Sequence, residues 1–152
     1  MDIILYKQCV RILEEEDTLA ALCNATAFLY EGIFDINWLG LYFVKGDELV
    51  LGPFQGRVAC THLKFKNGGV CVEAVKQAKA VIVKDVHDFV GHILCDTRTN
   101  SEIVVPIIVK GNVVAVLDID SMLFNRFSEK DVPILTKIAA ELAKKIEKYY
   151  IN

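Results

Sequence analysis

The chain has 152 residues, 53% of them apolar and 24% charged, a length and balance that suit one compact domain and exclude a disordered chain. A net charge of −3 and an isoelectric point near 5.6 argue against nucleic-acid binding, which usually shows a basic stripe. The longest apolar runs, such as 104–109, are far too short to span a bilayer, and Met1-Asp2-Ile3-Ile4 lacks the basic start and cleavage site of a signal peptide, so the expected location is cytoplasmic.

Near the N-terminus, Ile4, Leu5, Cys9, Ile12 and Leu13 recur at helical spacing up to the acidic run 14–16. Asp17 carries the short oxygen-bearing side chain of an N-cap. After it, Leu19, Leu22, Cys23, Thr26, Leu29 and Tyr30 continue a second helical stripe that Gly32 closes. Cys9 and Cys23 lie on these stripes and are expected to pack in the core. From Asp35 the pattern becomes that of strands. Segments 38–44 and 48–54 flank Lys45-Gly46-Asp47, a hairpin signal, and Gly52-Pro53-Phe54-Gln55-Gly56 punctuates the chain. A polar stretch, 64–69, leads into a short helix over 70–78, and 80–83 reads as another strand. Residues 84–101 follow neither period, and such connections in compact domains often carry function. A second hairpin, 103–109 with 113–120, turns at Lys110-Gly111. Ser128 caps a final amphipathic helix, with Glu129 and Asp131 in its first turn, Pro133 near its start and Ile134, Leu135, Ile138, Leu142 and Ile146 as its buried face. No repeat or linker divides the chain, so 1–152 is read as a single domain. The order of elements fits an α+β sandwich: an antiparallel sheet in the middle, terminal helices on one face, loops and a short helix on the other.

Three groups of residues carry chemistry. Cys60, Cys71 and Cys95 lie in or beside loops, and an odd count of five cysteines in a reducing compartment does not suit a structural disulfide framework. Asp118 and Asp120 are two apart in a strand, so both side chains leave one face, where mutual repulsion raises one pKa. A three-residue turn ending on a left-handed Gly111 would set Glu102 opposite Asp118 on that face, whereas a two-residue turn would send Glu102 to the other face. The plain alternative is that these acids reach solvent past the sheet edge. Trp38 and Tyr42, four residues apart on the first strand, share a face. Cys60, His62, Cys71, His87, His92 and Cys95 include enough soft ligands for zinc, yet no Cys-x-x-Cys or His-x-x-x-His pair organises them.

Several longer motifs are specific. Asn37-Trp38-Leu39-Gly40-Leu41-Tyr42, Gly52-Pro53-Phe54-Gln55-Gly56, Ala59-Cys60-Thr61, Asp85-Val86-His87, Gly91-His92-Ile93, Cys95-Asp96, Ser101-Glu102-Ile103-Val104-Val105-Pro106 and Leu117-Asp118-Ile119-Asp120-Ser121 occur in the order seen in the free methionine-(R)-sulfoxide reductases. The chain resembles that family from about Asp17 to the last helix. The resemblance implies a GAF fold and reduction of free methionine-(R)-sulfoxide by a cysteine cycle. It implies Cys95 as the attacking thiol, Cys60 as the resolving one and Cys71 as a third that can also exchange, leaving open which of the two resolves first. It further implies Glu102, Asp118 and Asp120 as acidic substrate-binding residues, Trp38 as the pocket aromatic, a homodimer, no bound cofactor, and thioredoxin as the external reductant. Tyr42 is expected to join Trp38 or only to pack. Three departures stand out: one extra residue after Cys60, Val72 in place of a glycine, and Val90 in place of a proline. A non-catalytic GAF sensor that binds a small ligand, with a redox-responsive Cys60–Cys95 pair, is the alternative.

Overall fold

Alternation along three central strands sorts the molecule into two faces. The computed structural model describes residues 1–92 and 95–148. Ile93, in one of the motifs above, lies outside them. Helices α1 (Ile3–Ile12) and α2 (Thr18–Gly32) start at Asp2 and Asp17. Those carboxylates accept from the Leu5 N–H at 3.0 Å and the Ala20 N–H at 2.9 Å, occupying donors that a helix leaves unpaired at its start. Then come strands β1 (Trp38–Lys45), β2 (Glu48–Gly56) and β3 (His62–Lys64), helix α3 (Val70–Gln77), strands β4 (Val81–Val83), β5 (Ser101–Val109) and β6 (Asn112–Ser121), and helix α4 (Val132–Ile146). The six strands form one antiparallel sheet in the order β3-β2-β1-β6-β5-β4.

On one face, Leu39, Leu41 and Phe43 of β1, Ile103, Val105 and Ile107 of β5, and Ala115, Leu117 and Ile119 of β6 pack under α1, α2 and α4. Each fully buried aliphatic side chain there contributes roughly 1.5–3 kcal/mol of transfer free energy, so this layer anchors the fold. The opposite face carries Trp38 and Tyr42 of β1, Val116 of β6 and Val104 of β5, covered by α3 and the loops around it. The expected sandwich is therefore observed.

Four local expectations change. Segment 52–56 does not interrupt the second strand but belongs to it, because a bulge between Gly40 and Tyr42 lets β2 follow β1 to Trp38↔Gly56. Helix α4 begins at Val132 with Asp131, not Ser128, at its N-cap, because residues 128–131 form a turn in which the Ser128 N–H donates to Asp131 Oδ2 at 2.8 Å. Cys9 is buried as expected, but Cys23 faces solvent. The α2 stripe that meets the sheet runs through Ala21, Leu22, Ala25, Thr26 and Leu29.

The fourth concerns register. The β5–β6 turn has two residues, Lys110 and Gly111, both with positive φ, as a type I′ turn requires. That alone would send Glu102 to the helical face. A bulge restores it: Ile107 pairs with Ala115 but Ile108 with Val113, so Val114 is an extra residue. Glu102 consequently shares the face of Asp118 and Asp120, as expected, but stands opposite Asp120, not Asp118.

Candidate active site

The sheet register lines up the polar residues in one row. Trp38 of β1 pairs with Asp120 of β6, which pairs with Glu102 of β5, and the next row on the same face runs Gly40, Asp118, Val104. Above these rows sits a cavity lined by Trp38, Tyr42, Cys71, Cys95, Glu102, Asp118 and Asp120. The structure thus brings seven of the eight expected site residues to one wall-and-floor arrangement. The eighth, Cys60, joins them through a disulfide to Cys95, with Cα atoms 5.6 Å apart.

The acids form the floor and do not escape to solvent. Glu102 and Asp118 are 5% and 6% exposed, while Asp120 is half-buried. Burial, and then the Asp120 charge, pushes the Glu102 pKa up to about 8. Burial also raises Asp118 and Asp120 well above the usual carboxylate range, with the neighbouring acid's charge next in effect. Asp118 Oδ1 and Asp120 Oδ1 are buried without a partner. Groups of this kind are costly to keep unless a ligand uses them. Cys71 lies under the same cluster, and its thiol is held protonated by burial first and by the Asp118 charge second.

The aromatic wall is built by close packing. The Trp38 ring stacks on Phe54 at 5.4 Å and on Tyr42 at 5.9 Å, and its indole N–H donates to the Arg57 carbonyl at 3.1 Å. The Tyr42 hydroxyl donates to the Cys60 carbonyl at 2.8 Å, tying the wall to the disulfide loop. Gly40 makes this possible: a Cβ there would sit 2.5 Å from both Phe54 Cβ and Trp38 Cη2. Gly40→Ala is expected to push the indole out of its stack, costing about 1–3 kcal/mol of stability and raising KM for a ligand that packs on the ring. Thermal unfolding and steady-state kinetics of the variant check this together. An unchanged KM would show that the indole does not touch the ligand.

Beside Cys95, Asp96 is clamped by Arg98, with Oδ2 accepting from Nη2 at 2.8 Å and Oδ1 from Nε at 3.1 Å. The Arg98 hydrogen bond holds the Asp96 pKa down to about 2. Asn37 Nδ2 donates to Asp96 Oδ2 at 3.3 Å and to Thr99 Oγ1 at 3.1 Å. Arg98 is therefore engaged by Asp96. His92 turns its Nε2 to Glu102 Oε2 at 3.4 Å, and burial lowers its pKa so that the ring stays neutral at pH 7.

The possible zinc set comes apart. His62 and His87 are exposed and pair with Glu48 and Asp85, and Cys60 and Cys95 bind each other. Among the described residues, Cys71, Glu102 and Asp118 offer ligand atoms within 4.8 Å of one another. The sequence reading missed Thr99 and the Gly68-Gly69 loop as parts of the cavity, and Phe54 and Gly40 as the supports behind the Trp38 ring. The glycine doublet just before a short helix was the available signal.

The GAF domain family matches residues 13–147. The chain is 48% identical to the free methionine-R-sulfoxide reductase of Escherichia coli over 130 residues, covering 86% of this chain and 78% of that protein. It is 41% identical over 131 residues to the enzyme of that name from Saccharomyces cerevisiae, covering 81% and 72%. The structure superposes on free methionine-R-sulfoxide reductase from Neisseria meningitidis, solved with its substrate, with a TM-score of 0.89 and 40% identity, covering 94% of this chain and 86% of that one. The cysteine pair, the acidic floor and the aromatic wall thus sit on a chain that belongs to the free methionine-(R)-sulfoxide reductases, a family built on the GAF fold.

Proposed function

We propose that this chain reduces free methionine-(R)-sulfoxide to methionine, with the cavity as its active site and no bound cofactor. The observation that carries the reading is the Cys60–Cys95 disulfide at a cavity floored by three acids with raised pKa values. In the reduced enzyme the Cys95 thiolate attacks the sulfoxide sulfur, forming a sulfur–sulfur bond while an acid of the floor gives its proton to the sulfoxide oxygen. The oxygen then moves to the Cys95 sulfur as the S–O bond and the new S–S bond to the substrate both break, leaving Cys95 as a sulfenic acid and releasing methionine. The sulfenic acid then condenses with the Cys60 thiol, releasing water and forming the disulfide. An external dithiol reduces that disulfide by two exchanges and leaves as a disulfide itself. Cys71, buried under the acids and held as a neutral thiol, is a poor nucleophile, which supports Cys60 as the resolving thiol in this reading.

The ionised members of the acidic cluster pair with the substrate's ammonium group. A methionine inside a chain has lost that charge to a peptide bond, so the acids would lack a partner and the free amino acid is preferred. Trp38, with Tyr42 behind it, packs on the S-methyl group. Thioredoxin as the reductant, a homodimeric assembly and a cytoplasmic location complete the reading and rest on the resemblance. No helix among the described residues is long and apolar enough to cross a membrane.

NADPH oxidation coupled through thioredoxin tests this, with the free (R)-sulfoxide, the (S)-sulfoxide and an N-acetylated sulfoxide offered in parallel. Turnover of the free (R)-form alone is expected. Absence of turnover on all three, with thiols shown to be reduced, would instead favour a ligand-binding sensor.

A further inference from the structure

The Cys60–Cys95 disulfide fixes Cys95 at the cavity in the oxidised chain, but the attack falls to the reduced one, in which that bond is absent. Something else must then keep the thiol in place. Residues 95–99, which carry it, are neither helix nor strand. Within the segment Asp96 gathers the backbone: its Oδ1 accepts from the Arg98 N–H at 2.9 Å and its carbonyl from the Thr99 N–H at 3.2 Å. With the Arg98 guanidinium closed on the same carboxylate, 96–99 forms one compact turn. Such a turn holds its own shape but not its place on the protein.

Asn37 supplies the tie to the sheet. It is buried and extends the β1–β6 pairing by one residue, its N–H donating to the Asp120 carbonyl at 2.9 Å. Its side-chain Nδ2 donates to Asp96 Oδ2 at 3.3 Å and to Thr99 Oγ1 at 3.1 Å, the two ends of the turn. Its Oδ1 is left buried without a partner. Flipping the amide would set that oxygen against the Asp96 carboxylate, so the orientation is determined. Thr99, also buried, accepts from Asn37 and turns its own hydroxyl proton toward Asp120 of the floor. Cys60 is held from the same strand, through the Tyr42 hydroxyl on its carbonyl at 2.8 Å. The two cysteine loops are thus gripped from one side, Cys60 by Tyr42 and Cys95 through Asn37.

We infer that Asn37 is a positioning residue for the attack: in the reduced enzyme its side-chain amide holds the 96–99 turn against the sheet, and with it the Cys95 thiol over the acidic floor. This rests on the proposed reaction and extends it to the state in which the disulfide is open. The reason is geometric. The thiolate must meet the sulfoxide sulfur while an acid on β5 or β6 meets its oxygen, and a misplacement of about 1 Å costs on the order of 10²-fold in rate. A loop free to move as a body would lose that alignment between turnovers. The residue type fits the task. An aspartate in this place would repel Asp96 and donate nothing, whereas the amide gives two donors from one nitrogen. The same bonds engage both Asp96 oxygens, so the charge next to Cys95 is compensated where it stands.

Amide hydrogen exchange at Arg98 and Thr99, followed by NMR in the oxidised and the phosphine-reduced protein without sulfoxide, reads the tie directly. Wild-type protection is expected to stay within about threefold between the two states, whereas Asn37→Ala keeps it when oxidised and loses at least about tenfold on reduction. Single-turnover methionine formation by Asn37→Ala should fall about 10²-fold at saturating sulfoxide, with the affinity for L-methionine changed by less than about threefold. Loss of protection on reducing the wild type would overturn the inference, and that comparison needs no variant. Equal loss by Asn37→Ala in both redox states, or a fall in methionine affinity as large as the fall in rate, would make Asn37 a structural residue and overturn it too. A single-turnover rate equal to the wild type's would show that Cys95 finds its place without the amide. The exchange is read without substrate, so failure of the wild type to reduce any sulfoxide would strike the proposed reaction, whereas lost protection strikes the positioning role alone.

Discussion

Cys95→Ser is expected to abolish reduction of methionine sulfoxide, by at least about 10⁴-fold, because a neutral hydroxyl replaces the only nucleophile the reaction is assigned. A single-turnover experiment isolates the step. Reduced protein is mixed with less than one equivalent of sulfoxide, with no recycling system, and methionine is quantified. The wild type yields methionine and the Cys60–Cys95 disulfide, and the serine variant yields neither. Cys60→Ser should behave differently, releasing one methionine per chain and then stalling as a sulfenic acid that a 1,3-diketone traps. Continued turnover by Cys60→Ser would transfer the resolving step to Cys71. Methionine formed by Cys95→Ser would overturn the assignment of the attacking thiol.

Glu102→Gln should lose activity and gain stability at once. Unfolded glutamate ionises near 4.5, whereas burial and Asp120 hold the folded group at about 8. A carboxyl whose folded pKa is raised favours the fold fully only below its unfolded pKa, and that contribution drains away as pH rises from 4.5 toward 8. At about 1.4 kcal/mol per pH unit, the fold gives up about 3 kcal/mol by pH 7. Glutamine cannot ionise in either state and so avoids that loss. For a chain of this size the variant's Tm should rise by roughly 6–10 °C at pH 7, with the gain shrinking toward pH 4.5. Its kcat/KM should fall about 10²–10³-fold, because the amide cannot give a proton to the sulfoxide oxygen. Thermal unfolding from pH 4 to 8, beside the coupled assay, checks both halves. A Tm difference that does not grow with pH would show that Glu102 is ionised in the folded chain.

These two results bear on the same design: a site that strains the fold in order to work. The acids sit on the sheet face opposite the main core, where Asp118 Oδ1 and Asp120 Oδ1 have no partner. The stabilising layer of Leu39, Leu41, Ile103, Leu117 and Ile119 lies on the other face and tolerates that cost.

Local chemistry made much of this legible in the sequence. The caps at Asp2 and Asp17 act through side-chain oxygens on the next few residues, and of these the reading placed Asp17. Strand alternation, a property of two neighbouring residues, was enough to put Asp118 with Asp120 and Trp38 with Tyr42. The family motifs around Cys60, Cys95 and the three acids added the chemistry. Tertiary structure decided what depends on partners distant in the chain. The Val114 bulge moved Glu102 opposite Asp120, and no pattern within β5 announces an extra residue in β6. Pairing with β1 kept Gly52 to Gly56 in a strand despite residues that usually end one. The protons on the acids come from burial under α3 and its loops, and the bond between Cys60 and Cys95 needs two loops 35 residues apart to meet. Sequence thus determined the faces and the reactive groups, because those follow from side-chain type and period. Only the folded arrangement set their distances and their charge states, because both arise from contacts across the sheet.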